Sequence, residues 1–251
     1  MPSIVSNFFK ANSSASMKLQ EKFSWQSDKP FWSDFESRVK LAVSSTGSGD
    51  VIVDVGGGRR CVWHSSVSPK AHLVAIDIDQ EELDANTVVS DKRLGDVGKS
   101  LPMHDGEASL VISRALLEHV HDVPTAVREF SRVLRKDGRA IHFVPARNSL
   151  FGLAARLGPF TLLKRLVHKA IPGSVGQVEF PVFYDHCTAK DLEALFKAAG
   201  FSKVSVDVCY SQSGYFHPVL PVYLLVAFYQ WIVSRFKARN LAAYLIVDAT
   251  K

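Results

Sequence analysis

A run of glycines and two aspartates form the part of this sequence best suited to bind a ligand. The β-branched run at residues 51–55 contains Asp54, glycines follow at 56–58, and Asp77 comes about twenty residues later. Glycines let the backbone turn sharply and approach a ligand closely. An aspartate two residues before the first of them suits a cationic ligand better than a pyrophosphate. A carboxylate at the end of the next strand can accept both hydroxyls of a ribose. These residues predict a nucleoside site with a positive group near Asp54.

The elements that must position these residues alternate between strand and helix. Strand patterns occur at 51–55, 72–76, 110–112, 139–144, 203–209 and 241–247, and helical spacing occurs at 31–44, 123–135 and 188–199. Thr188 is the predicted N-cap of the last of these helices, and Gly200 ends it. This order predicts an α/β fold, a doubly wound, Rossmann-like parallel sheet with helices on both faces.

Length and composition indicate one globular domain in a reducing compartment. The chain has 251 residues, of which 47% are hydrophobic and 22% charged, and a formal net charge of +5. Its three scattered cysteines form neither a disulfide framework nor a zinc motif. We therefore expect a cytoplasmic protein with a single domain over residues 29–251. Residues 1–28, serine-rich and without an acidic residue before Glu21, are expected to be a flexible tail.

Five segments in order carry a resemblance to a known family. They are the Asp54 loop, Asp77, Leu94-Gly95-Asp96, Leu116-Leu117-Glu118-His119-Val120, and the stretch from Phe130 to Gly138 that ends Lys136-Asp137-Gly138. In this order they resemble the class I S-adenosylmethionine-dependent methyltransferases, in particular the branch that acts on small molecules, quinones and lipids. The resemblance covers residues 50–145 and implies a seven-stranded sheet whose last strand is antiparallel, with helical insertions that cap the acceptor site.

The resemblance also implies roles for individual residues, with S-adenosylmethionine as the cofactor. Asp54, Gly56, Gly57 and Gly58 would shape the pocket for its methionine end. Asp77 would hold the ribose, Ile78 would pack on the adenine, Asp96 would accept from the adenine amine, and Val97 would line the ring. Ser113 and Arg114 would face the methionine moiety and the site of transfer. One departure is Arg60, which stands where the family often has a third glycine and would either narrow the pocket or pair with the cofactor carboxylate.

Three residues are candidates for a proton acceptor in catalysis, namely His119, Tyr184 and His186. Glu118-His119 resembles a metal-binding pair of some relatives, but Ala115 occupies the position of their further carboxylate. No metal is therefore expected. A base is needed only where the acceptor is a hydroxyl or an acidic carbon. The same residues also fit plain structural roles.

Two insertions, 147–187 and 211–240, are expected to contribute to the acceptor site. Their apolar parts, 147–178 and 218–238, contain seven Lys and Arg and no Asp or Glu. This composition suits a small acceptor that is lipophilic or anionic, or a peripheral contact with a membrane surface, or helices that only pack on each other. No nucleic-acid partner is expected, because the end of the fourth strand lacks the motif of base methyltransferases.

The function predicted from the sequence is methyl transfer from S-adenosylmethionine to a small acceptor by in-line displacement. One alternative is a methyltransferase-like protein that binds a nucleotide without transferring a methyl group. A nicotinamide dehydrogenase is the third possibility, because Gly56-x-Gly58-x-x-Cys61 loosely matches the dinucleotide fingerprint. The oligomeric state, the acceptor and the attacked atom stay open.

Overall fold

The architecture comes from a computed structural model of the 251-residue chain. It describes residues 4–22, 27–67, 71–150, 152–153, 180–212 and 216–251. Most of the first predicted insertion, residues 154–179, therefore lies outside the described residues, and with it Arg156, Lys164, Arg165 and Lys169.

A seven-stranded sheet organises the described part of the chain. Its order is β3-β2-β1-β4-β5-β7-β6, and β7 runs antiparallel to the other six described strands. This confirms the predicted doubly wound, mostly parallel sheet. The strands are β1 (Val51–Val55), β2 (His72–Asp77), β3 (Asp91–Leu94), β4 (Ala108–Arg114), β5 (Leu134–Pro145), β6 (Lys203–Cys209) and β7 (Tyr244–Thr250).

Two apolar layers cover the faces of this sheet. On one face, Phe130 and Phe196 belong to a core with the inner strand residue Val111; on the other, Phe35 and Trp63 pack with Ile112. Strand residues buried on both faces explain why β1 and β4 read as continuous hydrophobic runs. The helices are α1 (Ile4–Lys22), α2 (Lys29–Ser44), α3 (Gln80–Asp84), α4 (Val123–Val133), α5 (Ala189–Ala198) and α6 (Leu220–Arg235).

The local signals around α5 are confirmed. The Thr188 hydroxyl accepts a hydrogen bond from the Asp191 amide at 3.2 Å, which makes it the N-cap. Gly200 has a φ of +90°, the left-handed conformation that ends a helix. The predicted strand at 241–247 is displaced, however. Arg239–Leu241 forms a short 3₁₀ turn, and the strand occupies Tyr244–Thr250 instead.

The expected flexible tail over residues 1–28 is corrected by the structure, because most of it is helix α1. Its less exposed positions, Phe9, Asn12, Ser16 and Leu19, recur at helical spacing. The Ser16 hydroxyl donates to the carbonyl of His217 at 3.0 Å, and the Leu220 amide donates to Asn12 Oδ1 at 3.1 Å. The polar sequence of α1 does not by itself predict a helix, and packing against α6 stabilises it.

Candidate functional site

The carboxyl ends of β1, β2 and β4 bring most of the predicted site residues to one edge of the sheet. The loop after β1 turns through Gly56 at a φ of +75° and Gly58 at a φ of +29°, backbone conformations that favour glycine. The Gly56 amide donates to the carbonyl of Ile76 at 2.8 Å, which ties the loop to β2. A Cβ on Gly58 would lie 3.0 Å from Asp77 Oδ2. The loop therefore holds its backbone directly against Asp77.

Asp77, at the end of β2, is oriented by two backbone amides. Gly58 N–H donates to Oδ2 and Asp79 N–H donates to Oδ1, each at 3.0 Å. A carboxylate offers about four acceptor positions, so roughly two remain on Asp77. Burial raises the pKa of this carboxyl above its ordinary value, whereas the backbone hydrogen bonds oppose the rise. Two open acceptor positions fit the predicted contact with a pair of ribose hydroxyls, and the residues present fit the cofactor here.

Asp54, the fourth of the five residues of β1, is buried rather than open to the edge of the sheet. Trp63 Nε1–H donates to Asp54 Oδ2 at 3.1 Å, and the Cys61 side chain also bonds to this carboxyl. Burial raises the pKa of Asp54 to about 7, although both hydrogen bonds and the nearby Arg114 act in the opposite direction. Asp54 therefore lies behind the glycine loop. A positive group bound in the site would favour its ionised form.

Trp63 is a site residue that the sequence analysis did not identify. It is almost fully buried, and its ring lies 5.9 Å from the guanidinium carbon of Arg114. The signal that could have revealed it is the apolar run Cys61-Val62-Trp63 between polar residues soon after the glycines. Trp63 joins the loop after β1 to the end of β4.

Replacing Trp63 tests this link. We expect Trp63→Phe to lower the free energy of unfolding by about 1.5–3 kcal/mol at pH 8, where Asp54 is ionised and loses a donor. The loss should be smaller at pH 6, because the carboxyl is then protonated. Urea unfolding at both pH values measures it. Trp32→Phe is the matched control, since Trp32 stacks on Phe143 instead, and a pH-independent loss in Trp63→Phe would contradict the role.

The residues predicted around the adenine lie at the same edge of the sheet. Ile78 follows β2 and is 59% exposed, as a side chain available to a ligand should be. Asp96 follows β3; its Oδ1 accepts from the Gly98 amide at 2.9 Å, and Lys99 Nζ lies 3.2 Å from its Oδ2. Val97 is buried in the core. Their contacts with adenine remain predictions.

The two predicted residues of β4 point in different directions. The Ser113 side chain is fully buried and hydrogen-bonded to His142 Nδ1 at 2.8 Å, so the expectation that it faces the transfer site is corrected. Successive strand residues project to opposite faces, which leaves Arg114 on the other side, exposed above Trp63. Arg59 pairs with Glu82 at 2.8 Å, whereas the side chain of Arg60 is exposed.

Glu118 and His119 follow β4 and meet a second segment of the chain. The carbonyl of Glu118 accepts from the amides of Phe183 and Tyr184 at 2.8 and 3.0 Å. The Glu118 side chain is buried, its Oε2 has no hydrogen-bond partner among the described residues, and burial raises its pKa to about 8. His119 Nδ1 lies 2.9 Å from the carbonyl of Pro181 and therefore carries the hydrogen, which leaves Nε2 as the basic nitrogen.

The three candidate bases have different surroundings. His119 is partly exposed, and its Nε2 lies 3.7 Å from Glu118 Oε1. Tyr184 is buried within the core, so its predicted role as a base in contact with an acceptor is corrected. His186 is exposed and its Nδ1 lies 2.7 Å from Asp185 Oδ1. Among the described residues no group of three or more His, Cys, Asp and Glu side chains is arranged to hold a metal.

Apolar side chains border His119 and its neighbour His121. Phe180 meets the His119 ring edge-on at 6.2 Å between ring centroids, and Phe183 meets His121 in the same way at 5.2 Å. Phe180, Val182 and Phe183 are all partly exposed. A basic nitrogen bordered by accessible aromatic side chains is an arrangement that can receive an apolar molecule.

The central part of the chain is similar to a known protein family. Residues 53–142 match a family described as "Methyltransferase domain". Over 121 residues the chain is 33% identical to an uncharacterized 37.1 kDa protein in transposon TN4556 of Streptomyces fradiae. The matched region is 45% of this chain and 35% of that protein, so the chain spans about a third of the length of this curated relative.

Two solved structures share the fold. One is an S-adenosylmethionine dependent methyltransferase from Mesorhizobium loti, 17% identical, covering 86% of this chain and 98% of that chain with a TM-score of 0.50. The other is a geranyl diphosphate methyltransferase in complex with GPP and sinefungin, 14% identical, covering 87% of this chain and 76% of that chain with a TM-score of 0.55.

Proposed function

We propose that the protein is a class I S-adenosylmethionine-dependent methyltransferase with S-adenosylmethionine as its cofactor, and that it methylates a small acceptor that is lipophilic, anionic or both. The observation that carries the acceptor class is the segment after β4, where accessible aromatic side chains border His119. Exposed Arg114 lies at the end of the same strand and supplies a positive charge for an anionic group.

The site residues have little covalent chemistry to perform. When bound, S-adenosylmethionine supplies a sulfonium methyl group that a nucleophile can displace in line. Asp77 would hold the ribose through its two remaining acceptor positions. Asp54, oriented by Trp63, would favour a positive charge in front of the glycine loop. These contacts fix the methyl donor, and alignment of the acceptor against it supplies much of the rate.

His119 is the proposed proton acceptor where the attacking atom is an oxygen or an acidic carbon. The Pro181 carbonyl fixes the hydrogen on Nδ1, so Nε2 can take a proton. A neutral amine acceptor needs no such help before it attacks. Phe180, Val182 and Phe183 would contact the apolar part of the acceptor. The structural neighbour in complex with GPP supports this choice, since its fold accommodates an acceptor of that kind.

The test is to incubate the purified protein with S-adenosylmethionine and fractionated lipid and small-molecule extracts. We expect S-adenosylhomocysteine to form, together with a product heavier by one methylene unit in an apolar or acidic fraction. Cofactor binding without product in any fraction would favour the nucleotide-binding alternative. A product confined to neutral hydrophilic fractions would overturn the acceptor class.

A variant of His119 tests whether the acceptor must lose a proton. His119→Gln keeps a polar side chain but removes the basic nitrogen. Turnover should fall while the affinity for S-adenosylmethionine is retained if the acceptor loses a proton as it attacks. Unchanged turnover would show that the acceptor needs no base and would remove His119 from catalysis.

A further inference from the structure

Helix α6 exposes a row of large apolar side chains. We call Leu224, Leu225, Phe228 and Trp231 the α6 stripe; they are between 49% and 71% exposed. The rings of Phe228 and Trp231 stack, with centroids 6.0 Å apart. Folded soluble proteins rarely expose a contiguous apolar patch without a use for it. The stripe therefore needs a partner or an apolar environment.

The other side of α6 is already occupied. Its buried residues are Tyr223, Val226, Ala227, Gln230 and Val233. Helix α1 is bonded to the start of α6 through Asn12 and Ser16. These contacts fix the rotation of α6 about its own axis. In the described part of the chain, the outward orientation of the α6 stripe therefore results from packing.

The charged residues within α6 and the segments that flank it in the sequence are all of one sign. The sequence from 208 to 247 contains no Asp or Glu. Arg235 follows Phe228 by seven residues, which is two helical turns, and therefore lies on the same side of α6. Arg235, Phe236 and Lys237 are exposed at the end of the helix. An apolar row that ends in cations and lacks acids is complementary to a negatively charged apolar surface.

A cavity of about 560 Å³ extends this positive region beyond the end of α6. Lys237 and Arg239 line it from one side, and Lys190 and Lys197 of α5 line it from the other. Glu193 is the one acid in its lining, and it is paired with Lys197 at 2.7 Å and Arg239 at 3.5 Å. The cavity offers room and positive charge to an anionic headgroup next to the apolar row.

No helix in the described part of the chain is long and apolar enough to cross a bilayer. At about 1.5 Å per residue, the 16 residues of α6 extend roughly 24 Å. Such a helix can lie in the plane of the membrane interface with its apolar row among the acyl chains and headgroups.

We propose that the α6 stripe, with Arg235 and Lys237, docks the protein on the surface of a bilayer that contains anionic phospholipids. Phe228 and Trp231 enter the interface, where aromatic side chains are favoured, and the cations contact phosphate groups. This surface goes beyond methyl transfer and does not depend on it.

The experiment is sedimentation of the purified full chain with phosphatidylcholine vesicles and with vesicles that also contain phosphatidylserine. We expect binding to the anionic vesicles that weakens as salt is added, and little binding to the neutral ones. Leu225→Ser with Phe228→Ser should reduce the partition constant at least about tenfold, because both side chains lose their transfer into the apolar phase. Arg235→Gln with Lys237→Gln should reduce it by a similar factor at low salt.

Leu41→Ser is the matched control, because Leu41 is 70% exposed on a different helix, α2, and is not part of the α6 stripe. It should bind vesicles as the unaltered protein does. All changed residues are exposed, so circular dichroism should show each variant folded. Equal binding by the Leu225→Ser, Phe228→Ser variant, or failure to bind anionic vesicles at low salt, would overturn the proposal. So would a dimer that the same double substitution converts to monomer, since a second copy would then occupy the stripe.

Discussion

Asp77→Ala is expected to weaken the binding of S-adenosylmethionine about a hundredfold. The substitution removes two open acceptor positions, and each hydrogen bond to a charged group contributes about 1.5–3 kcal/mol. Two bonds at the lower end of that range amount to about 3 kcal/mol, which corresponds to about two powers of ten in the dissociation constant. Isothermal titration calorimetry with S-adenosylmethionine measures the change directly.

Two variants make this result specific to the ribose contact. Asp79→Ala removes a carboxylate two residues away that caps α3, where it accepts from the amides of Glu81 and Glu82. It should cost about 1 kcal/mol of stability and leave the affinity unchanged. Asp77→Asn keeps one acceptor oxygen and should bind with intermediate affinity. Equal affinity of Asp77→Ala and the unaltered protein would show that the ribose lies elsewhere.

The second large effect concerns Glu118 and the dependence of stability on pH. Burial raises the pKa of this carboxyl from 4.5 to about 8 in the folded protein. Between these values the folded protein keeps a proton that the unfolded chain has released, so stability falls as pH rises. Each pH unit is equivalent to about 1.4 kcal/mol. Glu118 alone should therefore lower the free energy of unfolding by about 2 kcal/mol between pH 6.5 and 8.

Glu118→Gln should remove this dependence, because the amide has nearly the same shape and does not titrate. From pH 6.5 to 8, we expect the stability of the variant relative to that of the unaltered protein to rise by about 2 kcal/mol. Urea unfolding at several pH values measures it. If the unfolding free energies of the two proteins changed in parallel from pH 6.5 to 8, Glu118 would not be buried as an acid.

Other buried titratable groups do not change the comparison between Glu118→Gln and the unaltered protein. Burial lowers the pKa of His142 to about 3, so that histidine affects stability only below pH 6.5. Asp54, with a pKa raised to about 7, lowers stability in the same direction as Glu118. Since Asp54 is present in both proteins, its effect cancels in the difference.

The sequence was sufficient to predict those features that are set by local patterns. The strand at Val51–Val55, the glycine turn and the cap at Thr188 follow from periodicity and turn chemistry within a few residues. Asp77 could be placed for the same reason, because it directly ends an apolar strand. These signals also carried the family resemblance, which lies almost wholly in the first five strands.

What the sequence did not predict depends on contacts between distant segments. Trp63 bonds to Asp54 across a loop that has no periodic pattern. The sequence around Tyr184 predicts a polar loop residue. The turn whose amides donate to the Glu118 carbonyl buries its side chain instead. Ser113 is different, because strand alternation alone predicts that its side chain and that of Arg114 project to opposite faces of the sheet. That error could have been avoided from the sequence.

The position of β7 constrains how this protein can assemble. In the described sheet, β6 pairs with β7, and β7 in turn pairs with β5. Residues 203–209 therefore have no place in the sheet until residues 244–250 have been synthesised and inserted antiparallel beside β5. During translation β5 is an unpaired edge that can aggregate or recruit a foreign strand. The described sheet can therefore be completed only after the last strand of the chain has been made.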